Sequence, residues 1–126
     1  SYYWRLEDSI ASARAFNNRF RALNDGRVPS DYGALGFAGV MTVLTAAKHA
    51  GSVATEKLVD ALRGMKYDLY KGAETYRTCD NQAVQSVLIV ESRFTADPND
   101  LDVFRIAHLD PASESLLMGC AAEGHH

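Results

Sequence analysis

A long apolar segment in the first half of the chain constrains the fold more than any other feature. Residues 32–50 read YGALGFAGVMTVLTAAKHA, which is apolar on nearly every side and rich in glycine and alanine. A helix of this kind is buried on several sides rather than along one stripe. Gly33, Gly36 and Gly39 recur every third residue, so another backbone can approach closely. Each glycine costs about 1 kcal/mol relative to alanine in a helix, and close packing must offset that cost.

Two more helices are predicted, one on each side of this segment. The first begins near Asp8, a good N-cap residue, and its apolar residues recur at spacings of three and four, which indicates an amphipathic helix. That stripe consists of Ala13, Phe16, Phe20 and Leu23. Ser30 or Asp31 is placed to cap the second helix. The third helix covers roughly residues 54–63 and is followed by Gly64, a stop residue.

The second half of the chain changes to strand-like periodicity. Residues 83–92, AVQSVLIVES, predict one strand with a β-branched apolar middle, and the alternating residues 103–109 predict its hairpin partner. Three helices followed by two or three strands predict an α/β fold. The first of these strands is apolar on both faces, and three helices cover such a strand poorly. We therefore expect partner structure that this chain does not supply.

Composition excludes several classes of function. The chain has 126 residues, is 47% hydrophobic and 23% charged, and carries a net charge of −3, which is typical of one globular domain. No basic stripe is visible, so nucleic acid is not an expected partner. No apolar run reaches the roughly 18 residues that a membrane helix needs. The first residues, SYYWRLEDS, do not form a secretory signal.

Both ends of the sequence look unlike natural termini. The closing residues 123–126, EGHH, resemble the remnant of a polyhistidine purification tag, and we exclude them from functional reasoning. The chain opens without a methionine and directly on Tyr2, Tyr3 and Trp4. We therefore expect residues 1–122 to be the C-terminal piece of a longer protein.

The two cysteines, Cys79 and Cys120, raise the possibility of a metal site, a nucleophile or a disulfide. A zinc site needs about four ligands at tight spacing, and no histidine lies near either cysteine in sequence, so no metal is expected. A catalytic cysteine needs a histidine base, and nothing in the sequence supports His108 in that role. The residues alone leave two buried thiols and one disulfide equally open.

No catalytic or cofactor motif is present, and the remaining candidates are aromatic. The stretch GALGFAG lies inside a helical pattern rather than between a strand and a helix, so it is not a nucleotide loop. Tyr2, Tyr3 and Trp4 can fill a core or line a ligand cleft. Tyr32 can pack against the first helix, or it can face a small ligand at a helix N-terminus, where free N–H groups favour a carboxylate.

Three segments, in this order, resemble a known family. They are SYYWRLEDSIASARAFNNRF, LGFAGVMTVLTAAKHAGSVATEKLVDALRGMKYD and KGAETYRTCDNQAVQSVLIVES. Their tyrosine–tryptophan start, long helix ending in Ala-Gly, and Arg, Cys, Asp and Gln before a valine-rich strand are similar to the substrate-binding proteins of branched-chain amino-acid and amide ABC transporters. Relatives often have a histidine where Asn81 stands here. The likeness covers almost the whole chain before residue 123.

The resemblance implies a type I periplasmic-binding-protein fold, in which two α/β lobes close on a small ligand. This chain would be the C-terminal part, with later helices of lobe one and strands of the hinge and lobe two. Such proteins are periplasmic, use no cofactor, are not enzymes and deliver an amino acid, amide or carboxylate to ABC permease subunits. A ligand-sensing regulatory domain of the same fold is the alternative. The missing N-terminal part, or a second copy of the chain, is a further expected partner.

The resemblance also implies roles for individual residues. Tyr32 would lie at the position of the aromatic that contacts the ligand side chain just before the long helix. Tyr3 and Trp4 would lie on the cleft side of the crossover. The family's periplasmic location implies that Cys79 and Cys120 form a disulfide, which would hold the tail against the strand region.

Overall fold

Helices occupy the first half of the chain and strands the second. The computed structural model describes residues 1–120, so the predicted tag remnant at residues 123–126 lies outside the described residues. The helices are α1 (Ala11–Leu23), α2 (Asp31–Ala50) and α3 (Thr55–Leu62). The strands are β1 (Lys66–Tyr67), β2 (Glu74–Tyr76), β3 (Ala83–Val84), β4 (Val87–Ser92) and β5 (Phe104–Asp110), and short 3-10 helices cover Trp4–Asp8 and Glu114–Leu116. The predicted α/β order of three helices followed by strands is confirmed.

The strands form two separate antiparallel sheets. One sheet has the order β1-β2-β3, and the other is the β4–β5 hairpin. In the hairpin Val87 lies opposite Asp110 and Ser92 opposite Phe104, with an irregularity between Ile89 and Val90. The predicted hairpin of residues 83–92 with 103–109 is therefore confirmed for β4 and β5.

The prediction of one continuous strand over residues 83–92 is wrong. The strand breaks at Gln85 and Ser86, so β3 pairs with β2 whereas β4 pairs with β5. Both residues at the break contact Lys71 instead: its Nζ donates to Gln85 Oε1 at 2.8 Å, and Ser86 Oγ donates to its carbonyl oxygen at 3.4 Å. These side-chain contacts replace strand pairing, which the apolar pattern of the segment does not reveal.

The predicted start of the first helix near Asp8 is also wrong. Residues 4–8 form a 3-10 helix, and the Leu6 carbonyl oxygen accepts from the amides of both Ser9 and Ile10, which closes that turn before α1 begins. Ile10 is the N-cap residue and offers no side-chain cap. The second helix follows expectation, because Ser30 Oγ accepts from the Gly33 amide at 3.1 Å.

Helix α2 is far less covered than its composition predicts. Only Ala34, Thr42 and Ala46 are buried, along one side of the helix. Leu35, Val40, Val43 and Leu44 are 43–63% exposed. A Cβ built on Gly36 or Gly39 would meet no atom within 4 Å, so residues 1–120 do not provide the close backbone approach that these glycines predict. The described chain covers one side of a helix whose sequence suits burial on several.

Two small clusters form the core. The larger one joins Tyr2 and Leu6 to α1, α2 and the segment before β2, and its members are Tyr2, Leu6, Ala13, Phe16, Ala34 and Tyr70. The smaller one packs α2 on β1 through Ala46, Met65 and Tyr67. Within residues 1–120, no helix combines the length and apolarity required to cross a membrane.

Candidate binding site

The three consecutive aromatic side chains at the start of the chain point in different directions, with Tyr3 in extended backbone just before the 3-10 helix. Tyr2 points into the core, where its hydroxyl donates to Asn17 Oδ1 at 2.6 Å and its ring meets Phe16 edge-on at 5.6 Å. Tyr3 and Trp4 turn towards the β4–β5 hairpin, and their ring centroids lie 5.9 Å apart. Tyr2 lies in the larger core cluster and Trp4 packs against that cluster, whereas Tyr3 is buried at 9% exposure beside the hairpin.

The segment just before β5 holds both of these rings. The Tyr3 hydroxyl donates to Asp102 Oδ1 at 2.9 Å and accepts from the Phe104 amide at 3.2 Å. Trp4 Nε1 donates to the Leu101 carbonyl oxygen at 3.3 Å. Residues nearly 100 positions apart in sequence thus fix the orientation of Tyr3 and Trp4.

Asp102 is the centre of a charged network beside these rings. Arg5 donates to it through Nε at 3.1 Å and Nη2 at 2.8 Å, and Arg93 donates to the same carboxylate. The hydrogen bonds from Arg5, with smaller contributions from Tyr3 and Arg93, hold the pKa of Asp102 well below its usual range. The Arg5 guanidinium also lies over the Trp4 ring, 4.2 Å from its centroid.

A surface cleft of about 590 Å³ lies between the 3-10 helix and the hairpin. Charged groups line it together with the apolar side chains of Phe104 and Ile106, and the other lining residues are Arg5, Asp8, Ser9, Arg93, Asp102 and Arg105. This lining is more polar than that of a typical small-ligand pocket, and Tyr3, Trp4 and Tyr32 are not part of it.

Tyr32 lies at the second residue of α2 and is 85% exposed. No ring contact within residues 1–120 joins it to Tyr3 or Trp4. The helix start and the chain start are nevertheless neighbours, because the Tyr2 amide donates to Asp31 Oδ1. The structure thus brings two of the three predicted ligand-contacting residues together and places the third at an adjacent helix terminus.

A buried ion pair that the sequence did not reveal lies behind the chain start. Lys71 Nζ is 3.6 Å from Glu74 Oε1, and both side chains are at most 1% exposed. Lys71 Nζ also approaches the Ser1 carbonyl oxygen at 3.4 Å. Within residues 1–120, neither Glu74 carboxylate oxygen nor the Tyr70 hydroxyl has a hydrogen-bond partner. Burial raises the pKa of Glu74 to about 7 and lowers the pKa of Lys71.

A disulfide joins Cys79 to Cys120, with a Cα–Cα distance of 6.1 Å. This is the pairing that the family resemblance implied. Cys79, Asp80 and Cys120 place potential metal-ligating atoms within 4.8 Å of one another, but both sulfurs are consumed in the disulfide and offer no thiolate. Next to it Arg77 pairs with Asp80, Arg77 Nη1 donates to the Met118 carbonyl oxygen at 2.9 Å, and Asp80 accepts from a backbone amide within its turn.

Comparison with known proteins decides the family. The model of the family described as periplasmic binding protein matches residues 1–97, which is most of the chain. The chain belongs to this family. Its members are binding proteins rather than enzymes, and the family name locates them in the periplasm. A comparison with curated proteins found no significant match.

Two solved structures show the same fold. A periplasmic binding protein from Burkholderia mallei is 24% identical, with a TM-score of 0.69 over 89% of this chain. An ABC-type branched-chain amino acid transporter from Rhodopseudomonas palustris is 27% identical, with a TM-score of 0.67 over 88%. The chain spans only 29% of the length of each of these periplasmic-binding-protein relatives.

The residues that hold the rings were not found from the sequence. Asp102 is the last residue of a polar loop, TADPNDLD. Three other acidic or amide residues of that loop look equivalent to it in sequence: Asp97, Asn99 and Asp100. Only the fold shows that Asp102, unlike Asp97 or Asp100, reaches the start of the chain.

Proposed function

We propose that this chain is the C-terminal part of a solute-binding protein of an ABC importer. The whole protein would bind a small amino acid, amide or carboxylate between two lobes and deliver it to a membrane permease. The observation that carries the proposal is the match of the periplasmic-binding-protein family over residues 1–97. The likeness to the Rhodopseudomonas palustris transporter protein favours the branched-chain amino-acid class.

Tyr3, Trp4 and Tyr32 are the proposed contributions of this chain to the ligand site. Flat aromatic rings supply contact area at a low cost in side-chain entropy, which suits recognition of small organic solutes. Tyr32 is open to solvent at the N-terminus of α2, where backbone N–H groups and the helix dipole favour a carboxylate. The exposed ring is thus available to a ligand held between this region and the second lobe.

The proposal is tested on the full-length gene product with a thermal-shift screen of amino acids, amides and aromatic acids. A ligand present at 100 times its dissociation constant should stabilise the folded protein by about 2.7 kcal/mol, which raises the melting midpoint. Tyr32→Ala should weaken the best compound by roughly tenfold, because truncating a central aromatic contact costs more than about 1 kcal/mol.

Leu23→Ala is the matched control for Tyr32→Ala, because Leu23 is 84% exposed at the end of α1. This variant should bind like the wild type. If the folded full-length protein is stabilised by no compound of the panel, the transport proposal fails. If a compound binds but Tyr32→Ala leaves its affinity unchanged, only the assignment of Tyr32 fails.

We further propose that upstream parts of the same protein cover the open side of α2. The support is physical: Leu35, Val40, Val43 and Leu44 form an exposed apolar patch on a helix whose glycines allow close approach. Monomeric soluble proteins rarely leave large contiguous apolar patches in water. Relatives of the same fold contain more than twice as much additional chain, since this chain spans 29% of each.

Without that cover, the 126-residue chain should self-associate through α2. Leu44→Glu should lower the apparent mass towards the monomer in sedimentation at micromolar protein, because a buried charge costs several kcal/mol unless it is paired. Val53→Glu is the matched control, since Val53 is 82% exposed beyond the end of α2. A wild-type chain that stays monomeric at all concentrations would contradict the proposal.

A further inference from the structure

One carboxylate near the end of the chain binds the residues that carry the proposed ligand-contacting rings. Asp102 lies 97 residues from Arg5 and 99 from Tyr3 in sequence, yet it contacts both. We propose that Asp102 is a positioning residue that sets the orientation of Tyr3 and Trp4, so that an ionic network controls the geometry of this part of the binding site. The role of the two rings in ligand binding rests on the proposed function, whereas the positioning of the rings by Asp102 does not.

Direct contacts carry the first step, which concerns Tyr3. Its hydroxyl donates to Asp102 Oδ1 at 2.9 Å and accepts from the Phe104 amide at 3.2 Å, so both hydrogen-bonding directions of the hydroxyl are fixed. Its ring also meets the Phe104 ring edge-on, with centroids 5.6 Å apart. Removing the carboxylate takes away the charged acceptor that holds the phenol end of this ring.

Arg5 links Asp102 to Trp4, because it contacts both residues. The guanidinium binds Asp102 through two nitrogens, a two-point contact that fixes its plane. The Cζ atom of this guanidinium lies 4.2 Å from the centroid of the Trp4 ring. Asp102 thus orients the cation that stacks on Trp4, while the adjacent Leu101 carbonyl oxygen holds the indole N–H.

Neighbouring acidic residues of the same loop make only local contacts. Asp97 accepts from Asn99, and Asp100 accepts from the amide of Asp102. The Asp102 side chain is 15% exposed, whereas Arg5 and Arg93 are 40% and 47% exposed. The network therefore has a sheltered anionic centre and partly solvated cationic arms, and dissolved salt should weaken it.

Trp4 allows a test that needs no ligand, because it is the only tryptophan in the chain. In the 126-residue chain, Asp102→Asn should shift the Trp4 emission maximum to the red and increase its quenching by acrylamide. Raising KCl from about 0.1 to about 1 M shortens the screening length from about 10 to about 3 Å. The added salt should therefore shift the Trp4 emission maximum of the wild type to the red as well. Asp102→Asn should respond less to the added salt.

Asp60→Asn is the matched control, since Asp60 lies on α3 beside Arg63 and its side chain is 75% exposed. It removes the same charge and should leave Trp4 emission unchanged. Arg93→Gln is the second variant, in case Asp102→Asn folds poorly; it removes an exposed arm of the network and should give a smaller red shift. Circular dichroism at the same temperature would establish that each variant is folded.

A folded Asp102→Asn chain with wild-type emission, quenching and salt response would overturn the positioning role. A general loss of stability would not imitate the expected result, because emission is read well below the melting temperature in folded protein. Failure of the solute screen on the full-length protein would leave this optical result untouched, so the two proposals fail separately.

Discussion

Reduction of the Cys79–Cys120 disulfide should lower the free energy of unfolding by about 4 kcal/mol, because the bond closes a long loop in the unfolded chain. The two cysteines are 41 residues apart, and the tail they connect has few other anchors in the described chain, such as the bond from Arg77 Nη1 to the Met118 carbonyl oxygen. Urea unfolding with and without dithiothreitol measures the loss.

The double variant Cys79→Ser/Cys120→Ser separates the bond from side effects of the reductant. It should unfold at the same urea concentration in both buffers, and that concentration should match the reduced wild type. Either single serine variant should cost as much as the double variant, since both remove the same bond. Equal midpoints for oxidised and reduced wild type would show that the disulfide does not restrain the unfolded chain.

Glu74→Gln should be more stable than the wild type by about 3 kcal/mol at about pH 8, and equal to it at about pH 4. Burial raises the pKa of Glu74 in the folded chain to about 7 from an ordinary value of 4.5. At a pH between these two values, the folded chain therefore keeps a proton on Glu74 that the unfolded chain has released. The contribution of Glu74 to stability is therefore fully present below pH 4.5 and is lost as the pH rises through 7. Glutamine resembles the protonated form at every pH.

Chemical denaturation of wild type and variant across this pH range tests the effect of Glu74. Glu56→Gln is the control, because Glu56 is exposed at the start of α3. It should follow the wild-type pH profile. Lys71→Met should lose stability more steeply with rising pH than the wild type, since Glu74 would then ionise without its buried cation. Parallel profiles for wild type and Glu74→Gln would refute the assigned titration.

Local patterns in the sequence predicted much of the fold. The α2 segment was predicted from its composition, its cap at Ser30 and the left-handed Gly51 that ends it, all of which act within a few residues. The β4–β5 hairpin followed from alternation. The break at Gln85 was not predictable, because it depends on Lys71, which a turn and a separate strand place beside it.

The sequence did not reveal site residues whose partners lie far away along the chain. Tyr3, Trp4 and Tyr32 came from a family resemblance, and their role in binding stays a prediction. Asp102 and Glu74 were missed because their importance arises from partners brought in by folding, such as Arg5 for Asp102. A carboxylate in a polar loop looks solvated in sequence, and only the contacts made on folding show that Asp102 is sheltered, with a side chain 15% exposed.

The long sequence separation between Asp102 and Arg5 also affects the order in which contacts form during folding. Helices α2 and α3 are neighbours in sequence and can pair once residue 62 has been synthesised. The contact between Arg5 and Asp102 joins residues 97 positions apart, and contacts of such long range slow folding. A chain shortened before Asp102 would keep the contacts of residues 2–7 with α1, but it would lose the acceptor that holds the Tyr3 hydroxyl and the Arg5 guanidinium.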